Sequence, residues 1–117
     1  MDAAFIRAHA IIDYATGKDV AFDSADVLKA VSVALKVAVK ELTGINRYRY
    51  ISNARQIFYW VCRKYLSISS SQIAKRAGLK DHSTVLHGIK KIDRLIMESD
   101  VATLNSIAAV ERELAIS

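Results

Sequence analysis

Between Lys80 and His87 the chain reads K-D-H-S-T-V-L-H, a cluster equipped for hydrogen bonding rather than for making or breaking bonds. Asp81 supplies acceptors, His82 two ring nitrogens, and Ser83 and Thr84 hydroxyls that both donate and accept. These side chains are short, so they meet a partner with little loss of rotamer freedom. At the start of a helix they join unpaired backbone N–H groups and the positive end of the dipole, which suits base edges and phosphate oxygens. Asp81 has two roles that are compatible: N-cap, and acceptor for a cytosine amino group. His87, further along, reads as a packed, hydrogen-bonded histidine. The two histidines stand five apart rather than the four that would aim two metal ligands from one helix face. Paired carboxylates and an activated nucleophile at a usable spacing are missing too, so the expectation is a non-enzyme with no cofactor and no metal.

A helix must present this cluster, and the surrounding pattern supplies one. Asp81 caps a helix expected over His82 to about Glu98, with Val85, Leu86, Ile89, Ile92 and Ile96 facing inward. Before it, Ser69 or Ser70 caps a short helix over about Ser71–Ala77, and Gly78 permits a left-handed turn. The pair reads as a helix-turn-helix. A longer helix, about Ser52–Leu66, buries Ala54, Ile57, Phe58, Val61, Cys62 and Tyr65 and leaves Arg55, Tyr59 and Arg63 more exposed. Upstream lie a helix capped by Asp23 or Ser24, a helical turn over Val39–Leu42, and a basic, aromatic loop, I-N-R-Y-R-Y-I, at 45–51. Helices over about Ala3–Ala15 and Val101–Leu114 complete the set. The chain has no proline and no run of strand-like alternation, so the expected fold is an all-α, single-domain helical bundle. Gly88 inside a helix costs about 1 kcal/mol against alanine, which points to close helix packing there. Trp60 covers either a neighbouring helix or an interface.

At 117 residues, 52% hydrophobic and 25% charged, the chain can bury a core without metal or disulfides. Its single cysteine, Cys62, sits on an apolar stripe and reads as inert core. The net charge of +5 is unevenly spread: residues 44–97 hold eleven lysines and arginines against two carboxylates. Such a concentration suits a phosphate-bearing partner. No leader-like N-terminus and no membrane-length apolar run is evident, so a cytoplasmic setting is expected.

The run K-D-H-S-T-V-L-H-G-I-K-K-I at 80–92 resembles the R-D-H-T-T-V-L-H-A-C-R-K-I signature of the C-terminal DNA-binding domain of the bacterial replication initiator DnaA. Arg55-Gln56 and Ile73 fall at matching offsets, and the resemblance extends from about Val27 to Leu114. It implies a domain over 23–117 of Trp-repressor-like helix-turn-helix type, with a helix in residues 1–22 outside the match. Position by position, it implies that Asp81, His82 and Ser83 read bases in the major groove. Ser70 and Ser71 stand where the family places a Leu-Pro pair against thymine methyls. Arg47 matches an arginine that enters the minor groove. Arg55, Gln56, Arg63, Lys80 and Thr84 match positions at or beside phosphates, and Arg49 joins Arg47 as part of a loop arm. The serines at 70 and 71, Ser83 in place of threonine, and Asn53-Ala54 in place of a proline-containing pair all depart from the family. The preferred site is therefore expected to differ from the family's TTATCCACA-like box.

The expected function is sequence-specific binding of double-stranded DNA through the helix-turn-helix, in control of replication initiation or of transcription. Neutralising about 5 to 7 phosphates would give log K a slope near −5 to −6 against log salt. No G-x-x-x-x-G-K-[ST] phosphate loop is present, so a stand-alone reader, nucleoid-associated or phage-encoded, is expected rather than a full initiator. The competing reading is a protein-interaction module with reduced or lost DNA binding, docking through the first helix and the acidic last one. The same first helix offers either a route to a homodimer or a cap folded back on the domain. Tyr48 and Tyr50, flanking arginines, either stack on sugar or bases or pack within the loop.

Overall fold

The computed structural model describes residues 22–115, which form helices and, among the described residues, no strand. In order these are α1 (Ser24–Leu35), α2 (Val39–Leu42), α3 (Arg49–Tyr65), α4 (Ser70–Arg76), α5 (His82–Met97) and α6 (Val101–Glu113). The all-α expectation holds. The helix expected over residues 3–15, and the dimer expected through it, lie outside the described residues.

Side-chain caps set most helix starts. Asp23 and Asp26 form a reciprocal capping box on α1, each carboxylate accepting from the other's backbone N–H at 3.0 Å. Ser69 and Gln72 repeat the device on α4, Asp81 caps α5 through Ser83 N, and Asp100 caps α6 through Thr103 N and Oγ1. Helix α3 begins differently. Tyr48 stands at its N-cap with no side-chain bond, and the helix starts at Arg49, three residues before the expected Ser52. Arg49, Tyr50 and Ile51, read as loop, are its first turn, and Ile51 is buried.

Helix α3 is the spine of the core. Ile51, Ala54, Ile57, Phe58, Val61 and Cys62 are buried, and α1, α2, α5 and α6 pack around them. Cys62 is buried on the apolar stripe as expected, and burial pushes its thiol up to about 12. Helix α6 closes the bundle over α1 with Thr103, Ile107 and Val110, and Leu114 follows just beyond its end. Tyr65, edge-on to Phe22 at 6.5 Å, donates its hydroxyl proton to Glu111, and Lys64 Nζ lies 3.6 Å from the same carboxylate. Burial, then Glu111 itself, push the Tyr65 phenol above its ordinary range.

Two faces differ from the expectation. Tyr59 is buried, because α5 crosses directly over its ring at Gly88. A Cβ on Gly88 would lie 2.8 Å from Tyr59 Cδ2 and 3.1 Å from Gln56 Cγ, so the missing side chain is what lets the helices approach. Leu86, expected inward, is on the exposed side, since the inward line of α5 runs through Val85, Gly88 and Ile92. His87, expected to pack, is exposed as well. Trp60 covers a neighbouring helix: its indole N–H donates to Asp93 Oδ1 of α5 at 2.8 Å.

Candidate nucleic-acid interface

Helices α4 and α5 and the turn between them make the helix-turn-helix. The turn closes as a Schellman motif, in which Leu79 N donates to Ala74 O at 2.8 Å and Gly78 N to Lys75 O at 3.2 Å. Gly78 takes the left-handed conformation this requires, with φ +76°. Ile73, Ala74 and Ala77 are buried beneath the turn, and Val85 and Gly88 seat α5. Lys80, Asp81, His82 and Thr84 are therefore left exposed, with Ser83 half-buried. The expected reading end stands clear of the core.

Its acceptor is fixed. Asp81 Oδ1 accepts from Ser83 N at 2.9 Å. Hydrogen bonds from the Ser83 backbone and hydroxyl, with smaller help from His82 and His87, hold the Asp81 carboxyl below its ordinary range. Asp81 is thus an ionised, acceptor-only group at neutral pH. A carboxylate has more acceptor sites than one cap uses, so capping and base reading are compatible.

The loop carrying Arg47 is built by Arg55. Its guanidinium donates from Nε to Leu42 O at 3.1 Å and from Nη2 to Glu41 O and Gly44 O, both at 2.7 Å. These carbonyls lie at and just past the C-terminal end of α2, where a cation complements the dipole. Arg55 is expected at or beside a phosphate; two of its three nitrogens fasten the loop, and the residue is half-buried. Asn46 Oδ1 then accepts from Tyr48 N at 3.0 Å, fixing the other side. Arg47 lies between these fastenings and is exposed.

One close approach brings loop and turn together. A Cβ at Gly78 would lie 2.9 Å from Thr43 O, so the helix-turn-helix turn rests on the backbone at the foot of the loop. Gly78 therefore serves two purposes, a left-handed φ and room for Thr43, of which the sequence signalled only the first. Arg49 opens α3, exposed at an N-terminus with no acidic residue in its first turn. With Tyr50, Asn53 and the half-buried Lys91 of α5, it lines an open cleft of about 600 Å³. Lys91 was not among the expected site residues. Its place seven residues after Thr84, hence on the same helix face, was the available signal.

The remaining candidates are less tightly gathered. Ser70, first in α4, is half-buried and Ser71 exposed. Gln56 lies between α3 and α5 with Oε1 buried and without a hydrogen-bond partner. Arg63 is exposed in the last turn of α3. Among the described residues no group of histidine, cysteine or carboxylate side chains could hold a metal, and no helix is long and apolar enough to cross a membrane.

Comparison with known proteins bears on this arrangement. Residues 24–92 match the family model described as the bacterial dnaA protein helix-turn-helix. The chromosomal replication initiator protein DnaA of Lachnoclostridium phytofermentans is 35% identical over 88 residues, covering 75% of this chain and 19% of that protein. The corresponding protein of Thermomicrobium roseum is 38% identical over 88 residues, again 75% of this chain and 19% of the relative. That of Jannaschia is 31% identical over 100 residues, 86% of this chain and 20% of the relative. The chain thus spans about a fifth of the length of these relatives. The matched segment runs from the start of α1 through most of α5 and includes every residue of the exposed reading end, the turn and the Arg47 loop, so the chain belongs to the bacterial DnaA helix-turn-helix family.

Proposed function

We propose that this chain binds a specific sequence in double-stranded DNA and so influences replication initiation or transcription. A helix-turn-helix of the DnaA family is a DNA-binding element rather than a catalytic one, and that is the coarse function; the sequence preference and the role are the proposal. The observation that carries it is the exposed, capped start of α5 beside the fastened Arg47 loop, both tied to the Gly78 turn. Asp81, His82 and Ser83 read major-groove edges, with Ser70 and Ser71 beside them. Arg47 enters the adjacent minor groove, where negative potential favours a guanidinium. Lys80, Thr84, Arg49, Lys91 and Arg63 set register on phosphates, and Gln56 offers its amide N–H groups from the α3 side. Arg55 acts chiefly by holding the loop in shape.

The test is a salt-titrated binding isotherm on a duplex carrying the family's box, on a duplex selected by the chain from a random pool, and on a scrambled duplex. The expected result is a preference of about 10³ or more for one specific site, the usual range for specific recognition. Arg47→Ala and His82→Ala should weaken binding while leaving the helical signal intact. Equal, steeply salt-dependent binding to all duplexes would remove the sequence preference. No binding at low salt would remove the DNA reading and favour a protein-docking module.

A further inference from the structure

The loop that presents Arg47, with the first turn of α3 that follows it, also presents exposed apolar side chains. Ile45 is 95% exposed, and Tyr48 and Tyr50 are 66% and 58% exposed. The two rings stack on each other, 12° from parallel with centroids 6.3 Å apart. An aliphatic side chain so exposed would ordinarily sit in a floppy tip. Here it sits between two fastened points: Gly44, whose carbonyl is held by Arg55 at 2.7 Å, and Asn46, whose side chain is held by Tyr48 N at 3.0 Å. The apolar tip is pre-shaped, and pre-shaping lowers the ordering cost of whatever receives it.

We infer that Ile45 is a wedge that enters the minor groove beside Arg47 and partly unstacks one base step, with Tyr48 packing on the sugar wall. This rests on the DNA-binding reading above. The charge around the tip selects this occupant. Arg47 and Arg49 follow it two and four residues on, and the segment 44–97 carries eleven cations against two carboxylates. A receiving surface must be anionic outside and apolar within, which describes a duplex groove: phosphate rims, sugar walls and stacked bases. Side chains such as isoleucine inserted at a base step kink the duplex and widen the groove. The chain would therefore discriminate among sites by how readily one step opens, most easily a pyrimidine–purine step, in addition to its base contacts.

The experiment uses the full chain and its selected duplex, with 2-aminopurine placed in turn at each step along the minor groove adjacent to the major groove read by α5. The wild type is expected to raise fluorescence several-fold at one step and to retard permuted fragments in the pattern of a bend. Ile45→Ser, at a fully exposed position, should keep its helical signal, bind within about tenfold of the wild type, and lose both the fluorescence rise and the bend. Ile45→Phe should strengthen both. Saturating wild-type binding without a fluorescence rise at any step overturns the wedge while leaving DNA binding intact. So does an Ile45→Ser complex that still unstacks the step, whatever its affinity. Failure of the wild type to bind any duplex overturns the DNA reading itself, and the wedge with it.

Discussion

Gly88→Ala sets two effects of similar size against each other. Alanine in a helix interior is favoured over glycine by about 0.8–1 kcal/mol, and an exposed glycine would yield that gain. Gly88 is not exposed. Its new Cβ would stand 2.8 Å from Tyr59 Cδ2, 3.3 Å from Tyr59 Cε2 and 3.1 Å from Gln56 Cγ. Tyr59 is 2% exposed and its ring lies edge-on to Phe58 at 6.1 Å, so it has little room to yield. Overpacking of this kind costs about 1–3 kcal/mol. The net expectation is a loss of about 1 kcal/mol, which at about 2.1 cal/mol/K per residue lowers the Tm of a chain this long by roughly 4 °C. The assay is thermal and urea unfolding of both proteins, repeated in a Tyr59→Leu background. Removing the ring should relieve most of the overpacking, giving a coupling of about 1–2 kcal/mol between the two sites. A Gly88→Ala protein several degrees more stable than wild type, or one whose change is the same in both backgrounds, would refute the account of how α5 seats on α3.

Three other outcomes follow from the geometry. Arg55→Lys keeps the charge but loses the fork that spans three carbonyls, and should cost about 1–2 kcal/mol in urea unfolding; amide exchange over residues 44–48 should accelerate, and unchanged exchange there would contradict its anchoring role. Cys62 is held protonated while the unfolded thiol titrates near 9.0, so the native state retains a proton that the unfolded chain gives up, and stability should fall as pH rises through that region. Cys62→Ala should flatten the decline between pH 9 and 10 by up to about 1.4 kcal/mol per pH unit, and identical slopes would count against a shielded thiol. Asp100 is held below the ordinary carboxylate range by bonds from the Thr103 hydroxyl and N–H, so its support of α6 is present at neutral pH and is lost as pH falls through its folded pKa. The midpoint difference between wild type and Asp100→Ala should shrink towards zero in acid, and a difference independent of pH would show that the carboxylate charge is not what matters.

What could be read in advance divides along physical lines. Local signals were legible: Asp23, Ser69 and Asp81 mark helix starts through bonds that span two or three residues, and Gly78 marks a left-handed turn. The four-residue helix Val39–Leu42 ends next to Gly44 for equally local reasons. Misplacements arose where a partner distant in sequence decides. Tyr59 lies off the main apolar stripe of α3 and is buried where α5 passes over its ring at Gly88. Arg55, expected on the more exposed side of α3, is half-buried because the carbonyls it holds lie eleven to fourteen residues earlier in the chain. The start of α3 has no local signal, because Tyr48 carries no capping side chain to announce it. For the interface, the polar start of α5 was evident from residue types, whereas the link between that end and the Arg47 loop rests on the contact of Gly78 with Thr43.

The bond from Trp60 to Asp93 has a practical consequence. Trp60 is the chain's single tryptophan, its indole bonded to α5 and its ring 5.0 Å from the Lys64 ammonium. The protein thus carries one native fluorophore at the seam where α5 meets α3. Its emission wavelength and lifetime report on that seam without any attached dye. A ligand that tilts α5 should register as a small spectral change well before the chain unfolds, whereas one that only coats the basic surface should leave the indole signal where it was.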